Sequence, residues 1–124
     1  VPFDAATCLL VSHFLMQPEE RRKFFSQIAS RLRPQGYLVS ADLASDMSTS
    51  DYQSLRQIWT RMLKYAEYPD EEVEKFLASH GQNVAVLSPD EVSSIIASSG
   101  FDLPVLFFQT LFIHAWYARR TSLD

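Results

Sequence analysis

The sequence predicts an α/β fold in which a sheet begins with parallel strands, ends in an antiparallel hairpin and carries helices packed on it. Two short apolar runs, residues 4–12 and 37–42, flank an amphipathic stretch at 18–32 that has the length of a helix. A strand, a helix and a second strand in this order place the two strands parallel. Two aromatic-rich runs, 104–109 and 112–118, are too close in sequence for any pairing but an antiparallel hairpin.

The length of the chain favours one domain, or part of one, that spans residues 1–124. The chain has 124 residues, of which 47% are hydrophobic and 21% charged, which excludes a disordered protein. A net charge of −4 without long blocks of either sign argues against nucleic-acid binding through general charge. No apolar run reaches the roughly 18 residues of a membrane span, so we expect no membrane partner. The single cysteine, Cys8, lies in an apolar run, which fits a buried hydrophobe and a cytoplasmic location.

The first half of the chain has the pattern of a strand–helix–strand unit. Its first apolar run lacks alternation, as in a strand that is buried on both faces. The helix begins at Pro18, and two acidic residues follow in its first turn. Its apolar positions form one stripe, so we expect Arg21 and the other basic residues on the solvent side. We expect Gly36 to adopt a positive φ in the turn that leads to the second strand.

The segment 44–84 is too long for a simple connection, and we interpret it as a helical insertion. Apolar spacing predicts two helices in it, at 51–67 and at 70–79. A third helix follows, because Ser88 and the glutamate three residues later form a capping box. Gly100 then follows that helix at a position suited to its C-terminal cap.

Four segments resemble, in order and spacing, the C-terminal half of a class I S-adenosylmethionine-dependent methyltransferase. Residues 3–15 resemble the family's strand 4 and the loop after it, and residues 32–39 (LRPQGYLV) resemble its entry into strand 5, with Gln35 in place of a glycine. Residues 99–101 (SGF) and 115–120 (AWYARR) resemble the lead into strand 6 and the closing strand 7. The resemblance implies a partial Rossmann-like sheet with parallel strands 4 and 5, an antiparallel 6/7 hairpin, and the order 4-5-7-6.

The family's glycine-rich cofactor loop has no counterpart in this sequence. The chain holds three glycines and no GxGxG motif. The resemblance therefore implies that strands 1 to 3 are not included. We expect the chain by itself to bind S-adenosylmethionine weakly or not at all.

The resemblance implies that the end of strand 4 contacts the methionine end of the cofactor, largely through backbone groups. The residues concerned are Val11, Ser12, His13 and Phe14. In doubly wound folds, ligands lie at the carboxyl ends of the strands. For His13 the alternatives are a pocket-lining residue, a proton acceptor, and a histidine that caps the helix or packs at the strand end.

Six residues are candidates for contact with the methyl acceptor, which the resemblance implies is a small molecule. One ends the second strand, three are aromatic residues on the inserted helices that would cover the acceptor site, and two lie near the hairpin turn. Turn chemistry or core packing is the alternative for each. The candidates are Asp42, Tyr52, Trp59, Tyr65, Phe108 and Gln109.

No residues stand out as a catalytic or metal-binding constellation. His80 and His114 lack a second ligand at a metal-like spacing. The reaction that the resemblance implies, in-line attack on a sulfonium methyl, depends mainly on positioning and desolvation and needs little acid–base help. A different Rossmann-like enzyme, such as a reductase, is disfavoured by the closing hairpin and the missing nicotinamide fingerprint.

A non-catalytic assembly module is the alternative function. Without strands 1 to 3, the apolar edge of strand 4 would be exposed and could pair with its counterpart in a second copy. This alternative predicts a homodimer.

Overall fold

The computed structural model describes residues 1–121. Four strands within them form one mixed sheet. Its strands are β1 (Phe3–Leu9), β2 (Leu32–Leu43), β3 (Val105–Thr110) and β4 (Ile113–Arg119). The spatial order is β1-β2-β4-β3, with β1 parallel to β2 and β4 antiparallel to both of its neighbours. The predicted α/β sheet, its parallel start, its closing hairpin and its strand order are therefore confirmed. The last three residues of the predicted 1–124 domain lie outside the described residues.

Four helices accompany the sheet: α1 (Pro18–Arg31), α2 (Ser50–Tyr65), α3 (Asp70–Ser79) and α4 (Pro89–Ala97). Helices α1 and α4 pack on one face, where Phe25 and Ile96 meet Leu38 and Trp116 of the sheet in the main core. A second, smaller core at the end of the sheet joins Leu43 and Phe112 to α2. Within residues 1–121, no helix is long and apolar enough to cross a membrane.

The N-cap predicted for α4 at Ser88 is present, and the glutamate three residues later contacts it. The hydroxyl of Ser88 accepts a hydrogen bond from the Glu91 backbone N–H at 3.2 Å and donates one to the Glu91 carboxylate at 3.1 Å. The first bond satisfies a backbone N–H at the helix start that no intrahelical partner reaches. In the second, the Glu91 carboxylate meets the Ser88 hydroxyl, whereas in a full capping box it would accept from the Ser88 backbone N–H. Gly100 adopts a φ of 98° after the helix, which fits its expected place at the C-terminal end.

The first strand is shorter than predicted. It ends at Leu9, and Leu10 adopts a left-handed φ of 59° that turns the chain out of the sheet. Residues Ser12–Phe14 then form one 3₁₀ turn. The apolar run 4–12 therefore contains both a strand and the turn that follows it, which apolar character alone cannot separate.

Gln35, and not Gly36, takes the positive φ, and both residues lie within β2, which begins at Leu32, earlier than predicted. The φ of Gln35 is 68°. The sequence prediction for Gly36 was wrong about conformation, but the structure supplies another reason for glycine there. A Cβ at position 36 would lie 2.9 Å from the Arg33 carbonyl oxygen and 3.0 Å from that of Asp4. Gly36 therefore lets the backbones of β1 and β2 approach closely.

Arg21 lies in the core, contrary to the solvent-facing position predicted for it. Its side chain is 0% exposed. It precedes Phe25 and Ala29 at intervals of four residues, and the three form the buried stripe of α1. A charged residue at that spacing continues an apolar stripe only when the core holds a partner for its charge.

The outer edge of β1 and the sheet face opposite α1 and α4 carry exposed apolar side chains. Phe3 and Leu9 on β1 are 61% and 58% exposed. All six residues of β3 are exposed as well. Phe107 and Tyr117 contact each other, with ring centroids 5.9 Å apart, and both rings remain partly open to solvent.

Candidate active site

A buried carboxylate, Asp42, joins the end of β2 to the turn after β1. Its Oδ2 accepts a hydrogen bond from the Ser12 hydroxyl, and its Oδ1 accepts one from the His13 backbone N–H at 3.0 Å. The Arg21 guanidinium contributes the positive charge, with Nη2 3.4 Å from Oδ2. Because the side chains of Asp42 and Arg21 are 0% exposed, this pair lies in the protein interior and holds three elements together.

The charge of Arg21 is balanced by this one carboxylate. Within residues 1–121, none of its three side-chain nitrogens makes a hydrogen bond, so the contact with Asp42 is electrostatic. Arginine remains protonated under all ordinary conditions. Its burial therefore depends on Asp42, while Asp42 has further donors in Ser12 and His13.

His13 is held in a fixed orientation by contacts on several sides. Its Nδ1 accepts a hydrogen bond from the Leu43 backbone N–H at 3.2 Å, and its carbonyl accepts one from Ala85 at 2.8 Å. Its ring meets the edge of the Phe14 ring, with centroids 4.7 Å apart. Burial lowers the pKa of His13; the negative charge of Asp42 opposes that shift, and the positive charge of Arg21 adds to it. The imidazole is therefore neutral at pH 7.

An apolar cavity of about 500 Å³ opens beside His13. It lies at the carboxyl ends of β1 and β2, where ligands bind in doubly wound sheets. The rings of Trp59 from α2 and Phe76 from α3 form one wall, with centroids 5.1 Å apart. The remaining lining comes mainly from the turn after β1 and from the ends of β2 and β4, with Leu10, Phe14, Leu43 and Ile113.

The structure brings three predicted site residues together, His13, Phe14 and Trp59, all on the cavity wall. Val11 is half exposed, outside the cavity lining. Ser12 is buried and outside the cavity lining, and its hydroxyl donates a hydrogen bond to Asp42. Asp42, at the end of β2, was a candidate for contact with the substrate, with turn chemistry as the alternative. Both of its oxygens instead accept hydrogen bonds inside the protein, so it positions the turn that lines the cavity.

The other predicted acceptor contacts lie away from the cavity. Tyr52 packs in the second core, with its hydroxyl 3.1 Å from Nδ1 of His80. Tyr65 is the last residue of α2 and is 92% exposed. Phe108 and Gln109 lie on β3, which β4 separates from β2, and the Gln109 amide donates to the Leu111 carbonyl at 3.2 Å.

Sequence reasoning missed three residues that matter to this site. Leu10 and Phe76 line the cavity, and Arg21 contacts Asp42, which binds the turn that carries His13. For Phe76 the signal was present, because it lies on the apolar face of its predicted helix. For Arg21 the signal was its spacing of four from Phe25.

Comparisons with known proteins identify the fold. A scan against protein-family models finds no match, and a search of curated proteins finds none. Among solved structures, the chain is similar to an O-methyltransferase family 2 protein from Planctomyces limnophilus in complex with apigenin. The TM-score is 0.63 and the identity 17%, over 98% of this chain and 31% of that one.

Two further methyltransferases show the same similarity. Human N-acetylserotonin methyltransferase in complex with SAM gives a TM-score of 0.63 at 12% identity, over 96% of this chain and 30% of that one. An O-methyltransferase family protein from Burkholderia thailandensis gives 0.62 at 10% identity, over 99% and 32%. At these identities the similarity establishes the fold alone. The chain therefore has a partial methyltransferase fold that spans about a third of the length of the structures it matches.

Proposed function

We propose that this chain is the acceptor-binding part of an S-adenosylmethionine-dependent methyltransferase that acts on a small molecule. The observation that carries the proposal is the apolar cavity of about 500 Å³ beside His13, at the carboxyl ends of the two parallel strands. A cavity of this size suits a small organic molecule. The similarity to methyltransferase structures supports the same reading.

The described residues offer apolar contacts for S-adenosylmethionine but few polar partners for its charged amino-acid end. Val11 and Phe14 offer exposed apolar surface at the turn after β1. The backbone carbonyls of residues 11–13 already accept main-chain hydrogen bonds, and the His13 N–H is taken by Asp42. The charged amino-acid end of S-adenosylmethionine therefore finds few free polar partners here. We expect those partners in polypeptide outside this chain.

The chain's own residues position the acceptor and keep water from it. S-adenosylmethionine, when bound, supplies a methyl group on a sulfonium, and the acceptor must present its nucleophilic atom in line with that methyl. The wall formed by Trp59 and Phe76 can hold a flat molecule by ring contact. Asp42 and Arg21 fix the turn that carries His13, so the opposite wall is rigid as well.

Calorimetry with S-adenosylhomocysteine tests the proposal. We expect binding by a longer version of the protein that includes the upstream strands, and weak or no binding by residues 1–124 alone. If the longer version shows no binding with ligand in the hundreds of micromolar, the proposal is lost. A radiolabelled methyl donor and a library of small acceptors would then identify the substrate.

A homodimerising module is a second candidate, which the exposed edge of β1 favours. Within residues 1–121, no strand pairs with that edge, and Phe3 and Leu9 beside it are largely exposed. Unprotected edges of this kind pair with other strands. Light scattering would show a dimer of about twice 14.2 kDa. Thr7→Lys, on the exposed face of β1, should shift the protein to monomer, whereas Gln53→Lys on α2 should not. A monomer at high concentration excludes this candidate.

A further inference from the structure

His13 is a buried polar residue of the cavity lining, and within residues 1–121 one of its two ring nitrogens has no hydrogen-bond partner. Most of the cavity lining is apolar. The Ser79 hydroxyl, also in the lining, donates to the Phe76 carbonyl at 2.6 Å, and Asn83 lies exposed at the rim. His13 is buried and uses one ring nitrogen, Nδ1, in contacts with the protein. Its other nitrogen, Nε2, remains for a ligand.

The partner of Nδ1 decides which nitrogen carries the proton. A backbone N–H always donates, so the 3.2 Å bond from Leu43 requires a lone pair on Nδ1. In a neutral imidazole the proton is then on Nε2. The Asp42 carboxylate lies 3.4 Å from Nδ1 and would favour a proton there. That contact is longer, however, and the same oxygen already accepts the His13 backbone N–H at 3.0 Å.

We infer that His13 presents Nε2–H to the cavity as a hydrogen-bond donor, so the cavity selects a flat apolar molecule that carries a hydrogen-bond acceptor, such as a carbonyl oxygen. This inference rests on the proposed function only in treating the cavity as the acceptor site. A ring that already holds its proton on Nε2 has no lone pair there with which to deprotonate a substrate. His13 thus orients the ligand and does not serve as the proton acceptor that the sequence left open.

Nitrogen-15 NMR of the imidazole side chains tests the tautomer directly. In the ¹⁵N-labelled chain at pH 7, we expect the Nδ1 of His13 to show the chemical shift of an unprotonated nitrogen and Nε2 that of a protonated one. The signals that vanish in His13→Gln identify this residue among the three histidines. A proton on Nδ1, or on both nitrogens, overturns the inference.

A matched pair of probes tests the ligand class. 1-Tetralone and tetralin share a bicyclic shape, but only the ketone accepts a hydrogen bond. We expect wild type to bind the ketone about 2- to 12-fold more tightly, the range that one net hydrogen bond gives. His13→Phe should abolish the preference, and His13→Gln, which keeps an N–H donor at a similar reach, should retain most of it.

The outcomes of these experiments are separate from those of the methyl-transfer test. Neither the NMR nor the probe titration needs a methyl donor, so a failure of S-adenosylhomocysteine binding leaves them intact. An equal ketone preference in His13→Phe, or no binding of either probe to wild type, overturns the inference even if the longer protein transfers methyl groups. If His13→Phe does not fold, the NMR result on the wild-type chain still decides.

Discussion

Replacing Asp42 by alanine should destabilise the protein more than replacing its partner Arg21 by methionine. At 3.4 Å and an effective dielectric constant of about 20, the attraction between the two charges is about 5 kcal/mol. Desolvating each ion costs several kcal/mol, so the intact pair contributes little net stability. Removing Asp42 leaves a buried guanidinium without a counter-charge and takes the acceptor from Ser12 and His13.

The expected loss of unfolding free energy for Asp42→Ala is about 3–5 kcal/mol. Arg21→Met should cost less, about 1–3 kcal/mol, because Asp42 keeps its hydrogen-bond donors Ser12, His13 and Ser40 and methionine fills the space of the arginine stem. The double variant Arg21→Met/Asp42→Ala should be at least about 1 kcal/mol more stable than Asp42→Ala alone, since no unpaired charge remains.

Urea denaturation followed by tryptophan fluorescence measures these differences, because Trp116 is buried in the main core. Arg31→Met, an exposed change in the same helix, is the control and should stay within about 0.5 kcal/mol of wild type. If the two single variants lose equal stability and the double variant loses their sum, Asp42 and Arg21 do not depend on each other.

Three further predictions address other parts of the fold. Gly36→Ala should lower the unfolding free energy by about 1–3 kcal/mol, because its Cβ would meet the carbonyls of Arg33 and Asp4; an unchanged thermal midpoint contradicts this. Ser88→Ala should cost about 1 kcal/mol through loss of the helix cap, whereas Ser94→Ala in the same helix should be close to neutral in the same melt. Stability should fall as the pH drops from about 7 towards 5, by up to about 1.4 kcal/mol per pH unit for each histidine, and stay level above pH 7. The reason is that burial lowers the pKa of His13, His80 and His114 in the folded state, whereas the same side chains in the unfolded chain take up protons near pH 6.5. Urea midpoints measured across that pH range at constant ionic strength check this prediction, and a flat profile refutes it.

The sheet topology could be predicted from the sequence because it depends on patterns that span whole elements. The parallel pair followed from an apolar run, a helical stripe and a second run, and the hairpin from two aromatic runs with a short gap. The position of β4 between β2 and β3 came from the family resemblance. The N-cap role of Ser88 was local and chemically specific, so it was predicted correctly.

The details that were missed depend on contacts between distant residues. The need for glycine at position 36 arises from the Asp4 carbonyl on another strand, which turn propensities do not include. The burial of Arg21 depends on Asp42, and that pairing exists only once the helix packs on the sheet. Tyr65 and Trp59 occupy the same helix with similar chemistry, yet only the packing of α3 decides which one faces the cavity.

The strand order has a consequence for biosynthesis. β4 pairs on both sides, with β2 and with β3, but it is the last of the described strands to leave the ribosome. Until it emerges, one long side of β2 stays open and apolar, and the early part of the nascent chain cannot complete its sheet. We therefore expect this polypeptide to reach its native state only after translation has passed residue 119.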